Sequence, residues 1–344
     1  MRHPDFAVPC LIAIILVPLA VLSQPNPAPL RERFQNAEVT YGWAQDNAGH
    51  KLRTFVTRPK NAAGKIPVIF FVGWLSCDSV EYPQGETDGF GAIFWRLIDH
   101  SGYATVRMDK PGVGESQGDC AHTDFNTELS GYQSAFETML KYDFIDPSRV
   151  FVLGLSNGGG TSPLIPRQHP VRGYIAASSW GRTWYEHMLE LERVRLNRTG
   201  KTPAEVNSGV KAFTGFYDLY LIRRMSPGDV LVQHPEWKGL WYDAPDGQYG
   251  RPAAFYQQLQ ALNLVEAWQN VTAPVLVMRG TFDTIMSDAD ARAIADNVNL
   301  KHRGMAKYVE VPGADHLLSV NGKLVEDVVP TMMKWMQQQI LADH

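Results

Sequence analysis

Ser156, Asp283 and His316 are the residues of this chain whose types and settings could activate a hydroxyl for attack on a carbonyl. Ser156 stands in Gly154-Leu155-Ser156-Asn157-Gly158, after the apolar run Val150-Phe151-Val152-Leu153 and before Gly159 and Gly160. A G-x-S-x-G pattern leaving a buried strand puts its serine on a sharp, strained turn that lifts Oγ from the sheet edge. Glycine is required two before and two after, because a Cβ there would collide with the adjoining strand or helix. A serine hydroxyl is a poor nucleophile until a base takes its proton, so the site also needs an imidazole and a carboxylate to orient it.

Those partners belong on loops after later strands, at the same edge of the sheet. The loop after residues 274–278 (PVLVM) reads Arg279-Gly280-Thr281-Phe282-Asp283 and offers Asp283. The loop after residues 307–311 reads Pro312-Gly313-Ala314-Asp315-His316 and offers His316. Asp315 and Asp288 are the carboxylates most easily mistaken for the acid. The remaining need is a pair of backbone N–H groups aimed at the developing negative charge. Asn157, following the nucleophile, is one candidate, and Trp74 in the loop after residues 66–72 (IPVIFFV) is the other, with Leu75 the fallback.

The elements that must hold these residues are legible from periodicity. Residues 38–44 and 51–58 alternate apolar and polar around Asn47-Ala48-Gly49, which predicts an antiparallel hairpin. Residues 66–72, 103–108, 150–153, 174–177, 274–278 and 307–311 are apolar runs of strand length. Helical spacing is seen after Phe90 and over 125–142, 252–268, 288–297 and 324–341. The alternation predicts an α/β fold, a mostly parallel doubly wound sheet with helices on both faces. Between 180 and 250 the rhythm breaks into charged helical segments (184–196 and 213–224) rich in aromatics, which predicts an inserted helical cap. Most of those aromatics should form the cap's own core, with a few facing the substrate.

A chain of 344 residues is long enough for one large domain with an insertion, and its 44% hydrophobic and 20% charged composition is ordinary. A net charge of −4 gives no reason to expect nucleic acid or an anionic membrane as partner. Residues 1–23 read as a cleavable signal peptide, with an N-terminal membrane anchor as the alternative, and 24–37 as a Pro-rich linker. The core then occupies 38–179 and 251–344. The expected location is secreted or periplasmic, with no stable membrane association after cleavage. Past the leader two cysteines remain, Cys77 and Cys120; an even pair in an exported chain suggests a disulfide, the other reading being two free thiols.

With these motifs assembled, the chain resembles the α/β-hydrolase superfamily. Within it, the chain looks most like bacterial secreted or periplasmic esterases, with serine aminopeptidase and prolyl-oligopeptidase-like relatives. The likeness is carried by Gly154 to Gly159, Gly280-Thr281-Phe282-Asp283, Gly313-Ala314-Asp315-His316 and the loop Asp109-Lys110-Pro111-Gly112-Val113-Gly114-Glu115-Ser116. The resemblance implies Ser156 as nucleophile, His316 as base, Asp283 as acid, and Trp74 and Asn157 as oxyanion donors, without metal or cofactor. The Asp109–Ser116 loop is assigned structural duty. Two departures stand out: Val72-Gly73 replaces the usual His-Gly before the oxyanion residue, and Pro163 and Pro166 should shorten or distort the helix after Ser156.

The expected activity is hydrolysis of small carboxylic esters through an acyl-enzyme. The alternative is peptide or amide cleavage by the same residues, as in an aminopeptidase, with Glu186, Glu190 or Glu205 holding the substrate ammonium. A third reading is a non-catalytic binding protein on the same fold. Glu186-His187 with Glu190 reads as a solvated helix face.

Overall fold

The computed structural model describes residues 30–342. The leader expected over 1–23 and residues 24–29 of the expected linker lie outside the described residues. Two antiparallel strands, β1 (Ala37–Gln45) and β2 (Lys51–Pro59), open the fold, followed by β3 (Ile66–Val72), α1 (Phe90–His100), β4 (Ala104–Met108) and α2 (Phe125–Met139). Then come β5 (Ile145–Leu155), α3 (Asn157–Thr161) and β6 (Gly173–Ala177). Helices α4 (Trp184–Arg198), α5 (Pro203–Tyr217) and α6 (Pro227–Gln233) follow, then a short ladder of β7 (Gly247–Gln248) with β8 (Arg251–Pro252). The chain continues through α7 (Ala253–Gln260), α8 (Leu264–Gln269), β9 (Val275–Gly280), α9 (Asp288–Lys301) and β10 (Ala306–Val311). A second ladder, β11 (Ser319–Val320) with β12 (Lys323–Leu324), precedes α10 (Val328–Leu341).

Eight strands form one sheet in the order β1-β2-β4-β3-β5-β6-β9-β10. The β1–β2 and β2–β4 pairs are antiparallel and every later pair is parallel. This is the doubly wound, mostly parallel arrangement expected from the alternation of apolar runs. Continuous apolar strands are needed because both faces are covered. On β3, Val68, Phe70 and Val72 face α2, while Ile69 and Phe71 face α1. The same period of two sends Val150 and Val152 one way and Phe151, Leu153 and Leu155 the other.

The chain leaves β3 towards β4 on one side and returns across it to β5 on the other. Loops after β3 and β5 therefore diverge at their carboxyl ends, which opens a crevice at this reversal of strand order. The loops carrying Trp74 and Ser156 border that crevice.

Several boundaries differ from expectation. The helix expected over 252–268 is two, because Asn263 breaks the run and accepts from Glu266 N–H as the cap of α8. The helix expected from 213 begins ten residues earlier, where Thr202 and Glu205 form a capping box with Pro203 at the first turn. The last helix starts at Val328 rather than 324, since Asn321 and Gly322 (φ 52° and 77°) turn β11 back onto β12. The linker expected through 37 does not extend that far. From Arg31 the segment packs on the core: the Glu32 carboxylate is buried against Arg107 at 2.7 Å, and Phe34 lies under Trp95.

Candidate active site

The turn after β5 is as tight as the glycines require. Ser156 has φ 53° and ψ −125°, a strained conformation for a residue with a side chain, and its N–H donates to Ala177 O on β6 at 3.0 Å. A Cβ on Gly154 would strike Gly159 and Ser162, and one on Gly158 would land on the carbonyls of Val72 and Gly73. Gly158 is thus what allows the end of β3 to lie against the helix that starts at Ser156. That helix runs only from Asn157 to Thr161 before tightening into a 3₁₀ turn at Ser162–Leu164, the shortening expected from Pro163 and Pro166.

The structure brings the three separated residues together. His316 Nε2 is 3.0 Å from Ser156 Oγ, and His316 Nδ1 is 2.9 Å from Asp283 Oδ2. Asp283 is buried, and its other oxygen accepts from the N–H groups of Ile285 and Met286, each at 2.9 Å. Arg279 fixes the same loop by donating to the carbonyls of Asp283 and Met286 at 2.9 and 2.8 Å. With Nδ1–H donating to Oδ2, the neutral imidazole presents an unprotonated Nε2 to the serine hydroxyl. Phe90 packs edge-on to the ring, centroids 5.6 Å apart. The decoy carboxylates are occupied elsewhere. Asp315 accepts from the N–H groups of Leu317 and Ser319 within its own turn, and Asp288 pairs with Arg292 and Tyr308.

The loop after β3 borders the same cavity as Ser156 and Asn157. Among the described residues, the backbone N–H groups of Trp74, Leu75 and Asn157 donate to no other group. The loop is held from behind by the segment after β4. Lys110 Nζ donates to the carbonyls of Trp74 and of Ser76, the latter at 2.8 Å. Asp109 accepts from Val80 N–H at 2.7 Å and from Ser79 Oγ, and Tyr132 Oη accepts from Gly73 N–H at 3.1 Å. Cys77 and Cys120 are joined in a disulfide that ties the two segments covalently. Burial pushes Asp109 up to about 6, against the hydrogen bonds from Val80 and Ser79, and pulls Lys110 down to about 8 despite Glu128 nearby. Residue type alone does not mark Lys110, although its place in the Asp109–Ser116 loop marks the segment that positions it.

A cavity of about 850 Å³, mostly apolar in its walls, opens over Ser156 and His316. Its lining includes Trp184, His187, Leu191 and Arg195 of α4, together with Tyr242 and Tyr249. Phe213, Phe216, Tyr217 and Tyr220 are instead buried among themselves, away from the cavity lining, as expected for most aromatics between 180 and 250.

The charged face of α4 does not follow the expectation of a solvated helix. Glu186 is consumed as a helix cap, its carboxylate accepting from Thr183 N–H at 2.9 Å, and Glu190 faces Arg193. His187, by contrast, is turned inward and is only 1% exposed. Glu205 caps α5 in the same manner as Glu186 caps α4. None of Glu186, Glu190 and Glu205 lines the cavity; its carboxylates are Asp78 and Asp88.

The sequence matches the Alpha/beta hydrolase family over residues 73–328. No curated protein matches it significantly. Among solved structures, it is similar to Est1E from Butyrivibrio proteoclasticus with ferulic acid bound, at 18% identity and TM-score 0.56, covering 88% of this chain and 98% of that one. Acetyl xylan esterase 1 from Thermoanaerobacterium is similar at 16% identity and TM-score 0.53, covering 90% and 85% of the two chains. A proline iminopeptidase from Mycobacterium smegmatis is similar at 18% identity and TM-score 0.55, covering 89% and 100%.

Proposed function

The chain belongs to the alpha/beta hydrolase family, and from that membership we propose that it is a serine hydrolase cleaving carboxylic esters through an acyl-enzyme. The observation that carries the reading is the unbroken hydrogen-bond chain Ser156–His316–Asp283 at the floor of a mostly apolar cavity. Ser156 Oγ attacks the ester carbonyl while His316 Nε2 takes its proton. Asp283 accepts the Nδ1–H and stabilises the imidazolium that forms. The N–H groups of Asn157 and of Trp74, or Leu75 beside it, receive the oxyanion of the tetrahedral intermediate. His316 then hands its proton to the leaving alkoxide, and water enters by the same steps in reverse to free the acid. The residues from 180 to 250 act as a cap whose helix α4 roofs the substrate.

Ester cleavage is preferred to the aminopeptidase alternative because Glu186 and Glu205 are spent on helix caps and the cavity wall is mostly apolar. Asp78 and Asp88 at the cavity are what an ammonium-bearing substrate would use, so p-nitrophenyl esters and aminoacyl-nitroanilides should be compared directly. The disulfide supports a further proposal, that the enzyme works in an oxidising compartment as an exported protein. Ser156→Ala is expected to fold normally and to lose roughly four or more orders of magnitude in kcat. A variant keeping most of its activity, or a wild-type serine that ignores a fluorophosphonate probe, overturns the mechanism.

A further inference from the structure

A second histidine–aspartate pair, whose histidine lines the same cavity, takes no part in the steps above. His187 Nδ1 lies 3.1 Å from Asp290 Oδ2, and both side chains are nearly inaccessible, at 2% and 1% exposure. Asp290 does not depend on this contact for its own satisfaction. Arg182 donates twice to Oδ1, at 3.0 and 2.6 Å, and Ser287 donates N–H and Oγ–H to Oδ2 at 3.0 and 2.9 Å. Burial pushes its carboxyl up, but the hydrogen bonds from His187 and Arg182 and the guanidinium charge of Arg182 hold it well below the usual carboxylate range. The anion is therefore a fixed anchor, and what it fixes is the orientation of the ring.

Trp184 and Trp180 pack against that ring, with centroids 4.9 and 6.1 Å away. Trp180 in turn donates from Nε1 to Asn157 Oδ1 at 3.3 Å, so the ring's packing shell reaches the residue after Ser156. Most polar side-chain atoms turned inward in a protein find a hydrogen-bond partner. Here Nδ1 is taken, Nε2 has no partner among the described residues, and His187 lies on the cavity wall. In the neutral ring with Nδ1–H given to Asp290, Nε2 is an acceptor held rigidly in mostly apolar surroundings. We propose that His187 is a specificity-determining residue that accepts a hydrogen bond from a hydroxyl on the substrate's acyl group, so that the preferred substrates are esters of hydroxylated acids.

This rests on the serine-hydrolase reading above. An otherwise unpaired acceptor on the wall of a mostly apolar cavity discriminates against a substrate lacking the hydroxyl, by about ten- to a hundredfold. The test uses the wild-type chain and His187→Phe with p-nitrophenyl esters of straight-chain acids of graded length. Each acid carries a terminal hydroxyl and is measured beside its unhydroxylated parent. The quantity read is the ratio of kcat/KM within each pair, in which any general loss of activity cancels. In the wild-type protein one length should favour the hydroxylated ester by about tenfold or more, and His187→Phe should bring that ratio to within about threefold of unity. A wild-type protein with no hydroxyl preference at any length overturns the proposal without need of the variant, as does a variant that keeps the preference. Failure to hydrolyse any of the parent esters would instead bring down the hydrolase reading, and this proposal with it.

Discussion

Replacing Lys110 by methionine asks whether the loop after β3 must be held for catalysis. The lysine ammonium donates to the carbonyls of Trp74 and Ser76 and stands 3.9 Å from a Glu128 oxygen. Methionine keeps the apolar stem and removes the donors. Glu128 is not orphaned, because Arg251 retains its ion pair with it. Two charge-assisted bonds are lost, at about 1.5–3 kcal/mol each before compensation. Relief of a buried charge, the same desolvation that pulls Lys110 down to about 8, offsets much of this. A net stability loss of about 1–2 kcal/mol is expected, or a few degrees in Tm.

The catalytic cost should be larger. Freed of Lys110, the peptides of residues 74–76 rotate away from the position where they can donate to an oxyanion above Ser156. Loss of one such donor costs about 10²–10³ in kcat. Steady-state hydrolysis of p-nitrophenyl acetate should therefore show kcat down about a hundredfold with KM within about threefold, and Lys110→Arg should recover part of it. The pH profile adds a readout that a general packing defect would not move. As pH rises through about 8 the wild-type ammonium loses its charge and grips the loop less, so kcat should decline with that midpoint, and the decline should be absent from Lys110→Met. Stability moves the opposite way. The folded-state value lies below the ordinary 10.5, so between these two values the unfolded chain binds more protons and this group's contribution rises with pH by up to about 3 kcal/mol. A folded Lys110→Met whose kcat stays within about twofold of wild type would refute the claim that this lysine positions the loop.

Asp283→Asn should leave Tm nearly unchanged and lower kcat about 10⁴-fold, because an amide in place of Oδ2 favours the wrong imidazole tautomer; retention of more than about a tenth of the activity would count against it. On the acid side, log kcat/KM should fall with unit slope as His316 takes a proton and ceases to accept one from Ser156, and a profile flat to about pH 4 would exclude it as the base. Removing the disulfide as Cys77→Ser with Cys120→Ser opens a sequence separation of 43 residues. This should cost about 4 kcal/mol on the loop-entropy account, read as a fall in Tm of roughly 6 °C in thermal unfolding.

Ser156 and Asp283 were legible because each follows an apolar run that reads as a buried strand, and His316 because it follows the last, alternating strand of the same sheet; the carboxyl ends of these parallel strands share one edge. The sheet itself was legible for the same reason: a strand covered on both faces must be apolar throughout, and such runs are unmistakable. Two further local signals lie outside the strand runs. Asn321-Gly322 marks the β11–β12 turn, and Thr202-Pro203-Ala204-Glu205 marks the start of α5.

Other features have no local signature. Lys110, buried behind the loop after β3, and Glu32, buried against Arg107 across 75 positions of chain, look like surface charges until the fold supplies their partners. The inward turn of His187 depends on Asp290, 103 residues later, and on which face of α4 meets the core. Residue type and spacing determined where the reactive groups emerge, since strand burial and backbone geometry are written locally. Which polar side chains are drawn inward to hold or flank them was decided only by tertiary structure, because a buried charge is tolerated only where distant residues arrive to pair with it.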